Sequence, residues 1–272
     1  MALSIERKNK LEEQEFTQEF LKKNVPVIIT DAMNNWEILR KLSSENLVKN
    51  FGSREVQVYD DLFNLIDVTN LKDYINNYFN KDNENYSQFV PYVRWYSTFK
   101  NLDFVWSDSF FEEIKYDWET PYFLPKEDYV VPFKSKNVNP TEGLFPARGI
   151  FISARGAKTS YHVDPWCSDA ILCQVVGCKK VVLHNPSQNS LEKEKVNSYE
   201  NAVYEDILHP GEILFIPHSW PHLVDTLADS VSITWNFVHI STIKSFVQYL
   251  INSPPKEELE VIKYFISKAG SV

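Results

Sequence analysis

Residues 149–185 read GIFISARGAKTSYHVDPWCSDAILCQVVGCKKVVLHN, and this stretch decides the fold. Short apolar runs alternate in it with Gly, Pro, Asn or Asp, a texture typical of short β-strands separated by turns. The same texture continues to residue 238, and closely spaced strands of this kind are typical of a sandwich or barrel. The strands are predicted at 149–154, 161–164, 170–176, 179–184, 203–208, 212–217, 222–226 and 230–238.

The sequence on either side of this region has a different, largely helical spacing. Helices are predicted over 11–23, over 43–52 and over 68–80, and short strands over 26–30 and 54–59. Residues 81–136 show no regular pattern. Residues 241–268 return to helical spacing, with a break at Pro254 and Pro255. The chain is therefore predicted to be mainly β with flanking helices: one domain over 1–240, with its β core at about 140–240, and a helical tail over 241–272.

Composition narrows the class of protein. The chain has 272 residues, 43% of them apolar, and a net charge of −9, which disfavours nucleic acid as a default partner. Three cysteines without a CxxC pair exclude a disulfide scaffold. No apolar run is long enough for a signal peptide or a transmembrane helix. A protein of the cytoplasm or nucleus, without a membrane partner, is expected.

The histidines concentrate in the β region, since all six lie between His162 and His239. His162-Val-Asp164 falls in a predicted strand, where positions i and i+2 share a face. Downstream, Gly211-Glu-Ile-Leu-Phe-Ile-Pro217 leads into His222. Closure of a β-barrel can bring His222 beside the His162/Asp164 pair. Two histidines and one carboxylate on one face of a metal leave three positions open, which suits Fe(II) oxygen chemistry.

Two adjacent lysines follow the next turn. In Gly177-Cys-Lys179-Lys180, the two lysine side chains must point to opposite faces of a strand, so one ammonium points inward. A buried ammonium without a partner is costly, and a dicarboxylate cosubstrate would supply that partner. Thr159 and Thr234 can donate hydroxyl hydrogen bonds to the same carboxylate.

Each motif also has a structural explanation when taken alone. An HxD tripeptide is a weak signal, a lone His222 is more often a satisfied histidine, and a lysine pair is more often a solvated strand edge. The order of the motifs is what favours a metal site: HxD, then GxK, then GxxxFIPxxWxH, then a β-branched strand that ends in Asn236.

With these motifs, residues 149–239 resemble the JmjC domain of Fe(II)- and 2-oxoglutarate-dependent oxygenases. Pro26-Val-Ile-Ile-Thr, Trp36 and residues 44–52 are similar to the opening of the small cupin-like JmjC hydroxylases. The offset from His162 to Lys179 favours the branch that contains the JmjC lysyl hydroxylase over the asparaginyl hydroxylases. The resemblance implies a double-stranded β-helix, also called a jelly roll or cupin.

The resemblance also implies roles for individual residues. The iron ligands would be His162, Asp164 and His222, and the partner of the 2-oxoglutarate C5 carboxylate would be Lys179. Thr159, Thr234 and Asn236 match positions beside the cosubstrate. This sequence departs from the family where relatives often carry an asparagine on the strand after HxD, since Leu172 occupies that position.

Several functions remain open at this point. The resemblance implies a dioxygenase that uses Fe(II), 2-oxoglutarate and O₂ to hydroxylate a protein or peptide side chain, releasing succinate and CO₂. The alternatives are an N-methyl-lysine or N-methyl-arginine demethylase, a tRNA-modifying hydroxylase, and a cupin binding module without turnover. The helices of 241–268 either form a homodimer interface or cover the end of the barrel.

Further residues are left with open roles. Four residues either line the opening through which substrate enters or pack in the hydrophobic core. They are Tyr92, Arg94 and Trp95, which precede the β core in sequence, and Trp166, which lies within the β core. The remaining histidines, His184, His209, His218 and His239, receive no role, and a structural position is expected for His218.

Overall fold

The computed structural model describes residues 2–81, 89–96, 110, 113–114, 116–131, 148–186 and 202–252. These residues form fourteen strands. In chain order the strands are β1 (Arg7–Lys8), β2 (Val27–Ile29), β3 (Glu55–Tyr59), β4 (Leu65–Asn70), β5 (Tyr92–Tyr96), β6 (Tyr129–Val131), β7 (Arg148–Ser153), β8 (Lys158–His162), β9 (Asp169–Val176), β10 (Lys179–Leu183), β11 (Tyr204–Leu208), β12 (Ile213–Ile216), β13 (His222–Thr226) and β14 (Ser230–His239).

Helices flank the strands at both ends of the described chain. They are α1 (Glu13–Glu15), which continues as a π-helix (Phe16–Leu21), α2 (Ile38–Lys41), α3 (Ser44–Phe51), α4 (Leu71–Tyr78) and α5 (Ile243–Asn252). The Ser43 hydroxyl accepts a hydrogen bond from the Asn46 backbone N–H at 3.3 Å, which caps the start of α3. None of these helices combines the length and the apolar composition that crossing a membrane requires.

Two sheets make the β core. The larger sheet has the order β1-β2-β12-β9-β14-β7-β5-β3-β4, with β6 also paired to β14, and the smaller sheet has the order β11-β10-β13-β8. Except for β1 and β2, which are parallel, the pairs are antiparallel. The observed architecture confirms the predicted class, a mainly β jelly roll with flanking helices.

Strand β9 shows how the core is divided, because both of its faces are buried. Leu172 packs between the two sheets with Val181 of the smaller sheet. Its neighbours Ile171 and Cys173 point the other way, into a second cluster with Phe16 and other residues of the N-terminal helices. This second cluster covers the outer face of the larger sheet, so the helical flanks belong to the packing of the core.

Seven of the eight strands predicted after residue 148 lie within one residue of their expected ends. The exception is 161–164, because the strand β8 is Lys158–His162 and Asp164 lies beyond it. Pro165 cannot donate a backbone hydrogen bond to a strand ladder, and it begins a 3₁₀ turn, Pro165–Cys167, instead. The predicted placement of Asp164 on the same strand face as His162 was therefore wrong.

The helix predicted over 68–80 was also wrong at its start. Residues 68–70 belong to strand β4, and α4 begins only at Leu71. The Asn70 side chain accepts a hydrogen bond from the Asp73 backbone N–H at 3.0 Å, so Asn70 is the cap that fixes the helix start. Of the predicted C-terminal helical region, only the part up to Asn252 lies within the described residues, and the side chain of Trp95 lies outside them.

Candidate metal centre

Two histidines lie opposite each other on neighbouring strands of the smaller sheet. His162 ends β8 and His222 begins β13, and the two are cross-strand partners. Their ring centroids are 4.2 Å apart. The register shifts between His222 and Val224, and bulges of this kind re-aim side chains next to functional sites. Strand pairing therefore brings together two imidazoles that are distant in sequence.

The same hydrogen-bond pattern orients both rings. The Nδ1 atom of His162 lies 2.8 Å from the Ser160 carbonyl oxygen, and that of His222 lies 2.9 Å from the Trp220 carbonyl oxygen. A carbonyl oxygen can only accept a hydrogen bond, so each Nδ1 carries the proton. Each Nε2 then keeps its lone pair for a metal ion.

Asp164 completes the cluster from the turn after β8. One ligand atom from each of His162, Asp164 and His222 lies within 4.8 Å of the others. Burial raises the pKa of the Asp164 carboxyl, while His222 and a hydrogen bond with the Asn236 side chain act in the opposite direction. The Asn236 amide also donates to the Ser168 hydroxyl at 3.2 Å. Asn236 therefore contacts the carboxylate of the cluster.

The three side chains fit a divalent first-row transition metal. Their donor set is two neutral imidazoles and one carboxylate, a combination that binds Fe(II) and leaves coordination positions open. Burial, followed by the influence of His222, holds the pKa of His162 well below its usual value, so its ring is neutral as a ligand must be. Without a cation, the arrangement buries a carboxyl group at a cost, and a bound cation would remove that cost.

Lys179 lies inside the core and Lys180 outside it. Lys179 is 6% exposed as a residue, and its Nζ lies 5.8 Å from the centroid of the Phe151 ring. Burial alone lowers the pKa of Lys179 to about 7, and no carboxylate of the described residues offsets this effect. Lys180 instead pairs with Glu205 at 2.7 Å. The sequence predicted that one lysine of this pair points inward, and the structure shows that this lysine is Lys179. An anion bound beside it would offset the cost of burying its ammonium group.

Hydroxyl groups lie next to Lys179 and on a neighbouring strand of the same sheet. Thr226 is its cross-strand partner on β13, and the Thr226 hydroxyl donates to the Ser153 hydroxyl at 3.1 Å. Thr159 lies beside the Tyr92 hydroxyl, and burial raises the pKa of Tyr92 to about 12. Such neutral hydroxyls are suitable donors to a carboxylate that pairs with the lysine.

Leu172 is the residue at which the sequence departs from the family pattern, and the structure shows its surroundings. Leu172 is buried, and its cross-strand partners are Thr234 on β14 and Leu214 on β12. Thr234 is half-buried between Leu172 and Gly149. The side chain at the position where relatives often carry asparagine is therefore apolar and buried in this chain.

Two further side chains lie next to the cluster: Arg94, for which the sequence left a substrate mouth or core packing open, and Phe63, to which it gave no role. The Arg94 guanidinium lies over the Phe63 ring at 4.1 Å, and Phe63 meets the His162 ring edge-on at 5.0 Å. Tyr92 and Arg94 lie two positions apart on β5, so their side chains share a face, and both residues are buried, as the core-packing alternative predicted. Phe63 lies in a hairpin turn, and no sequence pattern points to it.

The other histidines lie outside the metal cluster. The His218 ring approaches Asp169 at 3.0 Å in a buried pair, as expected of a structural residue. His184 packs edge-on against Tyr161, His209 is exposed, and His239 caps a turn through Ser241.

Comparison with known proteins agrees with this geometry. A family model described as a cupin-like domain matches residues 13–198. An Arabidopsis thaliana protein named arginine-specific demethylase JMJ20 is 26% identical over 83% of this chain and 54% of its own length. The Drosophila melanogaster homologue of 2-oxoglutarate and iron-dependent oxygenase JMJD4 is 24% identical over 92% of this chain and 67% of its own length. A second Arabidopsis protein, arginine-specific demethylase JMJ22, is 24% identical over 90% and 48%. The chain thus spans about half the length of the two plant relatives.

Proposed function

Because the chain belongs to the cupin-like family of JmjC proteins, we propose that it is an Fe(II)- and 2-oxoglutarate-dependent oxygenase. The observation that carries the proposal is the buried cluster of His162, Asp164 and His222, with Lys179 on the inner face of the same small sheet. A metal cluster alone is compatible with many cupins. A buried ammonium near it adds the recognition of an anionic cosubstrate.

In the proposed mechanism the chain's own residues hold and orient the reactants. His162, Asp164 and His222 would hold the iron, and Lys179 would pair with the far carboxylate of 2-oxoglutarate. The hydroxyls of Thr159 and Thr234 would line that pocket, and Asn236 would keep the Asp164 carboxylate in place. When bound, the iron, 2-oxoglutarate and O₂ would supply the oxidising power that converts a substrate C–H bond to an alcohol, with succinate and CO₂ as co-products. No side chain of the site has to act as a nucleophile.

Hydroxylation of a protein or peptide side chain is the reaction that we place first. The same chemistry on an N-methyl group would remove that group as formaldehyde, and the two Arabidopsis relatives carry the name of arginine-specific demethylases. Demethylation is therefore the second candidate. A tRNA substrate is disfavoured by the net charge of −9, because phosphate binding needs clustered cations.

The test is turnover of 2-oxoglutarate by the full chain with Fe(II) and ascorbate, followed by mass spectrometry of candidate proteins and peptides. One added oxygen atom in a substrate supports hydroxylation, whereas loss of a methyl group together with formaldehyde supports demethylation. The matched variants are His162→Ala, which removes a ligand of the cluster, and His209→Ala, which removes an exposed histidine. Succinate that forms equally in both variants would refute the site, and a complete lack of succinate with every substrate would favour a binding module.

A further inference from the structure

Asp169 is a buried carboxylate that joins three segments of the chain near the metal cluster. It is the first residue of β9 and is fully buried. Its Oδ1 accepts hydrogen bonds from the His218 backbone N–H at 2.9 Å and from the His218 ring Nδ1 at 3.0 Å. Its Oδ2 accepts one from the Thr242 hydroxyl at 3.2 Å, in the 3₁₀ turn before α5. A buried carboxylate is costly without such donors, so the three bonds hold these segments together.

The bonds between Asp169 and His218 connect the two turns that flank metal ligands. One turn, Pro165–Cys167, lies between Asp164 and Asp169 in the chain. The other contains His218 and leads from the end of β12 to His222. The hydrogen bonds therefore fix how far the first turn lies from the second. A ligand that follows or precedes such a turn is placed by it.

A second contact joins the same two turns. Cys167 Sγ lies 3.3 Å from Ser219 Oγ. Both residues have a positive φ, 53° for Cys167 and 65° for Ser219, and Trp166 has a φ of 58°. Residues other than glycine seldom adopt this conformation, and they persist in it where the surroundings over-determine them, often at functional sites. The shape of both turns is therefore imposed by contacts between them.

Hydrogen bonds continue from Asp169 to the ligand Asp164. Ser168, the residue before Asp169, donates its hydroxyl to the Pro165 carbonyl oxygen at 2.8 Å and accepts from the Asn236 amide at 3.2 Å. Asn236 in turn hydrogen-bonds the Asp164 carboxylate. In metal sites, groups that orient the ligands from outside are typically worth 10–100-fold in metal affinity.

We propose that Asp169 and His218 are positioning residues of the metal centre. Their pair holds the turn after Asp164 and the turn before His222 in the arrangement that the metal ion needs. Neither residue belongs to the ligand cluster, so each acts through the turn beside it. The inference rests on the metal centre of the proposed function and is independent of the reaction that the centre catalyses.

The experiment uses the full chain and Co(II) alone, an ion whose visible spectrum depends on its coordination geometry. His218→Leu removes the ring donor, and we expect the Co(II) affinity in a calorimetric titration to fall by about tenfold or more, with an altered spectrum. His218→Asn keeps an amide N–H close to the position of Nδ1, so it should restore both.

A matched control separates this role from a loss of stability. Tyr74→Phe removes a buried hydrogen bond to the Pro91 carbonyl oxygen, in the cluster on the outer face of the larger sheet. This variant should unfold at a lower urea concentration, as His218→Leu should. Its Co(II) affinity and spectrum should equal those of the native chain, because the turns at the metal centre are intact.

Hydrogen exchange of the native chain tests the same proposal without a substitution. If the pair orders the turn before His222 in advance, the backbone N–H groups of residues 218–222 should be equally protected with and without Co(II). Strong protection that arises only after Co(II) is added would overturn the proposal. This measurement also decides the case in which His218→Leu does not fold.

The outcomes distinguish the positioning role from the proposed function. A folded His218→Leu variant with the native Co(II) affinity and spectrum would overturn the positioning role and leave the metal centre intact. Equal losses in the Leu and Asn variants would overturn it as well, because the donor at Nδ1 would then be irrelevant. A native chain that binds no Co(II) would overturn the metal centre itself. Binding of Co(II) without any succinate from the Fe(II)-loaded chain would count against the oxygenase alone.

Discussion

His162 and His222 face each other across β8 and β13, and each donates its Nδ1 proton to the carbonyl oxygen of a residue two positions earlier in the chain. The two rings are thereby fixed in the same tautomer, with both Nε2 atoms available. Two of the three candidate ligands, the imidazoles beside Asp164, are therefore preorganised for a metal ion. Their conformational entropy is already lost in the folded protein, so metal binding does not have to order them.

Replacement of His162 or Asp164 by Ala should abolish metal binding. We expect the affinity for Mn(II) to fall by more than about 100-fold, since loss even of an outer hydrogen bond to a ligand typically costs 10–100-fold. Calorimetric titration of the protein with Mn(II) measures this directly. His209→Ala is the matched control, because that histidine is exposed. Unchanged affinity in the Asp164 variant would remove the carboxylate from the ligand set.

Replacement of Lys179 by Met should separate cosubstrate binding from metal binding. The variant keeps the volume of the side chain but loses the ammonium, so the apparent affinity for 2-oxoglutarate should fall by at least about tenfold while Mn(II) still binds. The free protein should become more stable by about 1–4 kcal/mol at neutral pH, because the core no longer buries a cation without a carboxylate. Loss of metal affinity with retained cosubstrate affinity would contradict the role given to Lys179.

The low pKa of Lys179 also predicts a pH dependence. In the folded protein the pKa is about 7, below its usual 10.5, so between these values the unfolded chain binds more protons than the folded one. Stability should therefore rise with pH across this window, and the Lys179→Met variant should lack this contribution. Binding of 2-oxoglutarate requires the protonated ammonium, so its affinity should fall as pH rises above about 7. Calorimetry at a series of pH values tests both signs, and an affinity that stays constant from pH 6.5 to 9 would be inconsistent with an ammonium–carboxylate pair.

The strands and the main members of the site could be predicted because their signals are local. Alternating apolar runs and turn residues mark β9 to β14, and Gly177 and Gly211 mark the turns before Lys179 and β12. The environment of Arg94 could not be predicted in this way. It depends on Phe63, which belongs to another strand pair and lies at a positive φ that no propensity favours. Long-range pairing and backbone strain leave no periodic pattern in a sequence.

The local position of Asp164 was predicted incorrectly for a related reason. Its spacing from His162 suggested a shared strand face, but Pro165 ended the strand before Asp164 and started a turn in which Trp166 and Cys167 have positive φ values. The carboxylate still reaches the histidines, through the turn instead of through the strand. The three side chains predicted to meet therefore do lie together, although the local geometry predicted for Asp164 was wrong.

Replacement of Asn236 by Ala should weaken the site without removing a ligand. Asn236 donates its amide to the Ser168 hydroxyl and hydrogen-bonds the Asp164 carboxylate, so its loss frees that carboxylate to rotate. We expect the Mn(II) affinity to fall by about 10–100-fold with the fold unchanged. Asn35→Ala serves as the control, because Asn35 is exposed and far from Asn236 in the sequence. An affinity equal to that of the native chain would mean that the turn alone fixes Asp164.

Substitution of two turn glycines, Gly177 and Gly211, can separate two costs of adding a side chain: backbone strain and steric clash. Gly177 (φ +71°) and Gly211 (φ +90°) both have backbone conformations that an L-residue with a side chain rarely adopts. A Cβ added at Gly177 would lie 2.2 Å from the Asp229 carbonyl oxygen, whereas at Gly211 nothing lies within 4 Å.

Gly211→Ala should therefore cost about 1–2 kcal/mol of unfolding free energy from conformation alone. Gly177→Ala should cost clearly more, because the backbone of the Asp229 turn must also move. Since Gly177 precedes Lys179, this movement should in addition weaken 2-oxoglutarate binding, an effect that Gly211→Ala should not have. Urea unfolding and calorimetric titration of both variants make the comparison, and equal losses of stability would show that the turn at Asp229 yields without cost.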